Sequence, residues 1–330
     1  MSYLLTGDNA NHLWINAMHT INEIGEKSAD TKEILHVLLE LNNPREKWVV
    51  SRSPVISVAF ALAELIWILS GDNRKDIIDF WNPLYKNFAA DNGSNIYHGA
   101  YGYRLRVNYG IDQLEEAYNA LKNAPENRQT VLLYWDPRKD FPREGQRQSK
   151  DIPCNVCSLI KIRKNKLEWT QIMRSNDIIM GLPYNFVQFT SLQEILAGWL
   201  DVELGNYVHY SDSLHFYERD KNFICSETKI INEDSLSIPK LEFDVIIKEI
   251  YSRMIKIVEG DVSIYSIRKY ANLSSQYQAY NNVMRVVVAY AANKLGYDNV
   301  VSDIMSECTN STYKELFYMF LHKKKENIKS

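Results

Sequence analysis

The stretch from Val55 to Leu69 constrains this chain more than any other. Apart from Ser57 and Glu64 it is apolar throughout. It falls short of the ~20 residues that a membrane span needs, and a carboxylate interrupts it. The run therefore reads as a helix buried nearly all round, with Ser53 as its cap and Pro54 at its first position. A helix apolar on every side must have other layers packed around it. Glu64 stands out within it, because an ionised carboxylate is costly to bury without partners or a task.

The flanking segments suggest what those layers are. Ile34 to Leu41 is rich in β-compatible apolar residues and ends at the turn signal Asn42-Asn43-Pro44. Thr130 to Trp135 reads as a buried strand. Cys157 to Arg163 and Leu167 to Met173 flank Lys164-Asn165-Lys166 as a hairpin, with Leu167, Trp169, Gln171 and Met173 on one face. After the break at Gly181-Leu182-Pro183, Leu192, Ile195, Leu196 and Trp199 give a helix from about Phe186 to Leu200 its core stripe. Tyr207 to His209 suggests a further strand. Val245 to Val258 and Asn281 to Leu295 read as amphipathic helices, and a last one runs from about Thr312 to Lys323 with a stripe of Tyr313, Leu316, Phe317 and Phe320. The expectation is an α/β fold: a mixed sheet, a long buried central helix and a helical C-terminal region. Residues 1–260 would form the main domain and residues 261–330 a helical extension packed on it, ending in the solvated run Lys323-Lys324-Lys325-Glu326.

A net charge of −3 argues against a general polyanion binder, so no nucleic acid is expected as partner, although a basic pocket for one phosphate is compatible with it. The 21 tyrosines suit a wet pocket or a subunit interface. Met1 to Trp14 has no basic region followed by an apolar run, so no secretory leader, no membrane anchor and a cytoplasmic location are expected. Cys154, Cys157, Cys225 and Cys308 are then free thiols.

Chemistry concentrates in a few places. Cys154 follows Pro153 and enters a strand whose hairpin partner ends in Arg174, a cation able to favour the thiolate; taken alone, such a cysteine also reads as a small core residue. Cys154-Asn-Val-Cys157 has zinc-like spacing, but Cys225 and Cys308 are isolated, so no metal is expected. Arg174 and Ser175 set donors side by side as for a phosphate, in the cluster Arg174-Ser175-Asn176-Asp177; a solvated turn would look the same. Asn185 carries an amide with one acceptor and two donors, enough to read O4 and N3–H of uracil, or merely to cap a helix. His215 and Tyr217 point the same way along a strand, as sugar-binding groups or as a structural pair.

In this order these residues resemble the thymidylate synthase family, from about Ser53 to Tyr217, with a weaker echo at Ile238-Pro239-Lys240-Leu241. Arg174-Ser175-Asn176-Asp177-Ile-Ile-Met-Gly181-Leu-Pro183-Tyr-Asn185 carries the most specific part. Pro153-Cys154 matches the nucleophile motif, Glu64-Leu-Ile-Trp67-Ile-Leu-Ser-Gly71-Asp72 the helix of the catalytic glutamate, and Gly99-Ala-Tyr101-Gly102 the loop of the catalytic tyrosine. Asn127-Arg128 matches the arginine that reaches across a dimer to the substrate phosphate.

The resemblance implies C5 methylation of a uracil nucleoside monophosphate, dUMP first, with 5,10-methylenetetrahydrofolate as carbon and hydride source. Cys154 would attack C6, Asn185 would steady the ring, Glu64 would move protons, and Tyr101 would help remove the C5 proton. Arg174, Ser175 and a partner's Arg128 would hold the phosphate, His215 and Tyr217 the ribose, and Asp177, Gly181 and Trp81 the folate. A homodimer with shared active sites follows. Departures from the family are Asn155 in place of a histidine, Gln129 in place of a second arginine, and Ser213 where an aspartate is usual, with Asp212 one place further upstream. The family's Arg-Thr-Gly phosphate loop is replaced by a stretch that offers only Lys27, and its C-terminal Pro-x-x-x-Ile-x-x-x-Met-Ala-Val has no match. Tyr210 to Tyr217, Gly99 to Gly102 and Asn42 to Arg45 are similar to the branch of CMP hydroxymethylases, whose cytosine-specific members carry Asp where Asn185 stands. Pyrimidine nucleotide 5-hydroxymethylation, on a uracil or a cytosine nucleotide, is therefore the alternative. From another class stands a nucleotide-binding homologue without turnover, against which Glu64, Tyr101, Cys154 and Asn185 argue together.

Overall fold

A computed structural model describes residues 2–87, 93–143, 151–220, 224–225 and 231–329; for residues 224–225 and 323–329 it describes the backbone alone. The side chain of Cys225 and the run Lys323-Lys324-Lys325-Glu326 thus lie outside the described side chains. The first half of the chain runs β1 (Tyr3–Gly7), α1 (Ala10–Ile24), β2 (Glu26–Ser28), β3 (Thr31–Leu41), β4 (Arg52–Ser53), α2 (Val58–Leu69), α3 (Lys75–Trp81), α4 (Tyr101–Arg106), α5 (Gln113–Asn123), β5 (Val131–Leu133) and α6 (Pro137–Asp140). The second half runs β6 (Asn155–Arg163), β7 (Lys166–Met173), β8 (Asn176–Asp177), α7 (Leu182–Leu200), β9 (Glu203–Tyr217), β10 (Ile224–Cys225), α8 (Lys240–Val258), α9 (Ile264–Ala271), α10 (Gln278–Lys294), α11 (Asp298–Glu307) and α12 (Ser311–Lys329).

The apolar run is α2, and every one of its side chains is buried. Its cap is Ser57, whose hydroxyl accepts from the Phe60 amide; Ser53 instead belongs to β4, so the helix starts later than Pro54 suggests. Gly102 lets α4 approach α2 closely, since a Cβ there would meet the Ile68 carbonyl oxygen at 2.4 Å. α7 and α10 also pack on α2, as does α12. No described helix is long and apolar enough to cross a membrane.

Eight strands form one mixed sheet in the order β1-β3-β9-β7-β6-β5, with β2 beside β3 and β8 beside β9, while β4 and β10 pair antiparallel as a separate two-stranded sheet. β9 pairs antiparallel to β3 and parallel to β7, and the β6–β7 hairpin turns through Lys164 and Asn165, both at positive φ. Leu167, Trp169, Gln171 and Met173 do line one buried face, which α7 covers. Two strands differ from expectation. Tyr207 to His209 is part of a strand more than twice the mean length, held by neighbours on both sides. β5 is an edge strand whose Val131 and Leu133 are exposed, so only Leu132 of the three is buried. Helices differ as well: α8 begins at Lys240, a turn before Val245. α7 begins at Leu182 rather than near Phe186, because Pro183 can sit in a first turn that needs no amide hydrogen. α10 is buried nearly all round, not amphipathic, because it lies between α2, α9 and α11. The stripe of α12 packs on the core, with Tyr313, Leu316 and Phe317 buried and Trp48 edge-on to Tyr313.

Candidate active site

Where α2 meets α7, three side chains form a buried polar chain. Gln188 donates its amide to Glu64 Oε2 at 2.6 Å, and Asn185 donates from Nδ2 to Gln188 Oε1 at 3.1 Å. Tyr85 adds a second hydrogen bond to Glu64. Burial still outweighs both bonds and pushes the Glu64 carboxyl up to about 7, so it can take or release a proton near neutral pH. Asn185 Oδ1 is buried and accepts nothing among the described residues.

Cys154 lies just before β6, half-buried, with its sulfur 3.9 Å from Arg174 Nη2. Arg174 is held at that distance by the Pro153 and Ile152 carbonyls, to which it donates at 3.0 and 3.2 Å, and its guanidinium lies over Trp135. Burial pushes the thiol up and Arg174 pulls it down, and burial prevails, so the nearby cation alone does not yield a resting thiolate. Tyr101, at the start of α4, is near enough for the charges of both Cys154 and Glu64 to act on it. Its hydroxyl is raised well above the usual range, first by burial and then by the charges of Cys154 and Glu64, while Arg174 opposes. Asp151 fixes this loop to the nucleophile's strand by accepting the His98 and Gly99 amides at 2.6 and 2.9 Å.

The next turn is built by Asp177. Its Oδ1 accepts the Ile179 and Met180 amides, and its backbone pairs beside His215. Gly181 suits this tight turn, since a Cβ would crowd Asn176 Oδ1 at 3.0 Å and the Asp177 carbonyl at 3.1 Å. Asn176 donates to His209 Nε2 at 2.7 Å, and Tyr207 is 2.9 Å from its Nδ1. Burial lowers His209 to about 3, so this anchor of the turn is neutral. His215 and Tyr217 stand edge to face, with rings 5.6 Å apart, and Arg219 lies over Tyr217 at 4.4 Å.

The remaining expected residues lie apart from this group or are engaged elsewhere. Ser175 is half-buried beside Arg174. Arg128 is exposed, ahead of the edge strand β5, and pairs with no described residue of its own chain. Trp81 is buried and donates its indole N–H to the Val287 carbonyl of α10 at 3.1 Å. Asn155 is buried with Oδ1 accepting from Gln171, and its Nδ2 has no described partner. Cys157 points to the opposite face of the sheet, paired in register with Leu133 and Ile172.

Three contributors were not singled out from the sequence: Gln188, Tyr85 and Asp151. Gln188 carried a readable signal, being polar three residues after Asn185 on a helix otherwise apolar on that face, much as Glu64 is on α2. Tyr85 and Asp151 carried none, since each becomes informative only through a distant partner.

A family model described as thymidylate synthase matches residues 15–274. Among curated proteins, the chain is 32% identical over 234 residues to a deoxyuridylate hydroxymethyltransferase of Bacillus phage SP01, covering 66% of this chain and 60% of that protein. It is 35% identical to a deoxyuridylate hydroxymethyltransferase of Pseudomonas phage M6, over 50% of this chain and 46% of that one. It is 26% identical to a putative thymidylate synthase of Methanothermobacter marburgensis, over 66% of this chain and 94% of that protein. The match thus spans 60% or less of the length of the two phage relatives.

Proposed function

The chain belongs to the thymidylate synthase family, and from that premise we propose that it transfers a one-carbon unit to C5 of a uracil nucleotide, dUMP in the first place. The observation that carries this reading is the convergence of Cys154, Tyr101 and Glu64. A thiol beside a guanidinium, a phenol and a carboxyl that titrates near neutrality share one buried region. A pure nucleotide binder has no need of the thiol or of the buried acid.

Cys154 Sγ adds to C6, which makes C5 nucleophilic and moves charge onto O4. Asn185 faces that ring edge with its open Oδ1 and its second N–H. After C5 has taken its new bond, Tyr101 helps remove the C5 proton, Glu64 accepts and returns protons, and the C6–S bond breaks to restore the double bond. Arg174 and Ser175 contact the phosphate, and His215 and Tyr217 the sugar. 5,10-Methylenetetrahydrofolate, when bound, supplies the carbon and, for a methyl product, the hydride. Asp177 suits a pterin, because its Oδ2 accepts nothing among the described residues while Oδ1 is committed to the turn. Gly181 keeps that turn compact. The indole N–H of Trp81 is occupied by the Val287 carbonyl, so a folate contact from Trp81 would have to come from its ring alone.

A homodimer fits the sheet. Val131, Leu133 and Leu35 stay exposed on the side away from α7, and Cys157 and Ile172 share that side. Arg128 stands at the same edge without a partner among the described residues of its own chain, as an arginine serving a neighbouring subunit's phosphate would.

A second reading, 5-hydroxymethylation of dUMP, is favoured by the names of the two phage relatives. It is also supported by α12, whose apolar stripe packs on the core and so is not available to cover the site against water. One incubation tests both readings: dUMP, UMP, dCMP and CMP, each with methylenetetrahydrofolate, read by product mass and dihydrofolate absorbance. Methyl product with stoichiometric dihydrofolate supports methylation, and a product heavier by a hydroxymethyl group without dihydrofolate supports the second reading. No product from any nucleotide would overturn both.

A further inference from the structure

We propose that Gln188 is the specificity-determining residue of this site: it fixes which way round the Asn185 amide faces the base, and it takes its own polarity from Glu64. This deepens the reading of the site as one for a uracil nucleotide and rests on it.

Gln188 lies one turn beyond Asn185 on α7, and both side chains are buried. An ionised carboxylate only accepts hydrogen bonds. Glu64 Oε2 therefore draws the Gln188 nitrogen, at 2.6 Å, and turns Gln188 Oε1 toward Asn185. That oxygen in turn draws Asn185 Nδ2, at 3.1 Å, and Asn185 Oδ1 must face the other way. There it is buried without a described partner, an unusual state for a carbonyl oxygen unless a ligand supplies a donor. Reversing the Asn185 amide would set oxygen against oxygen. The locked amide shows the base an acceptor and one remaining N–H, which suits N3–H and O4 of uracil. Cytosine, with a bare N3 and an N4 amino group, needs the reverse.

The lock depends on charge. A protonated Glu64 becomes a donor, can bond to Gln188 Oε1, and frees Gln188 Nε2 to face Asn185, which permits the reversed amide. The titratable groups facing Glu64 are the hydroxyls of Tyr85, of Tyr101 from α4 and of Tyr184 from α7. All three are held above their ordinary range and stay protonated through neutral pH. Among the described residues, α3, α8, α10 and α12, which also pack on α2, bring no charged group to it. Glu64 is thus the group whose charge changes near neutrality.

Binary binding of dUMP and dCMP, measured by titration calorimetry, tests this without folate or turnover. At pH 8 the wild-type protein should favour dUMP. In Gln188→Met, which keeps the volume and loses both bonds, the preference should fall about tenfold. In the wild type, the dUMP:dCMP affinity ratio should shrink severalfold from pH 8.5 to pH 6, and using the ratio cancels the phosphate's own titration. A merely structural Gln188 would change both affinities together and leave the ratio alone. An unchanged ratio in the variant, or a flat ratio in the wild type, overturns the inference. The wild-type series decides if the variant does not fold. If the wild type binds neither nucleotide, the uracil-site reading fails and this inference with it; a normal dUMP preference with an unmoved ratio removes this inference alone.

Discussion

Replacing Glu64 by Gln should stabilise the protein at alkaline pH while abolishing turnover. Burial holds the folded-state carboxyl at about 7, against 4.5 for the free group. Because the folded pKa is the higher one, the contribution of Glu64 to stability is fully present below 4.5 and declines as pH rises through 7. Each unit of displacement corresponds to ~1.4 kcal/mol, so the full cost above neutrality is about 3–4 kcal/mol. The amide of Gln is nearly isosteric, carries no charge, and still offers an oxygen to Gln188. Urea unfolding of wild type and variant at pH 5 and pH 8.5 gives the two differences, and comparing them removes every other titrating group. The expected advantage of the variant is below about 1 kcal/mol at pH 5 and about 2–3 kcal/mol at pH 8.5. A pH-independent difference, or a variant weaker at pH 8.5 than at pH 5 relative to wild type, would refute the assignment of a buried acid titrating near neutrality. The trade itself is the functional argument: a residue retained at a stability cost is retained for its chemistry.

Further outcomes follow from the same geometry. Cys154→Ala should form no covalent adduct with 5-fluoro-dUMP, and an adduct mapped to Cys157, which faces the far side of the sheet, would contradict the assignment. Arg174→Ala removes the described group that lowers the Cys154 thiol, so the pH profile of its alkylation should move up; an unmoved profile would show that Arg174 does not govern it. Mixing Cys154→Ala with Arg128→Ala subunits that exchange should restore part of the activity through one intact site per hybrid dimer, and no recovery counts against sharing. Leu133→Asp, on the exposed edge strand, should shift the protein toward monomer by light scattering with little change in unfolding midpoint, whereas an unaltered mass would place the subunit contact elsewhere.

Local pattern was enough for much of this protein. An apolar run with one acid identified α2 and singled out Glu64, and alternation fixed the β6–β7 hairpin and its buried face, because side-chain periodicity is written directly into sequence. The hairpin suggested Cys154 and Arg174 as neighbours, and their side chains lie 3.9 Å apart. What needed the tertiary structure was everything set by a partner far along the chain. Ser57 caps α2, not Ser53, because Ser53 is itself part of the extended strand β4. The exposed face of β5 reflects its position at the sheet edge, which no window of its own residues reveals. The thiol of Cys154 is not lowered overall, because burial, a property of the whole packed chain, outweighs the neighbouring Arg174. Gln188 is polar on an otherwise apolar helix face, but its partner appears only when two helices far apart in sequence bring Glu64 within 2.6 Å of its amide. Periodicity is local and can be read; hydrogen-bond polarity, desolvation and edge position are sums over neighbours that only the folded chain assembles.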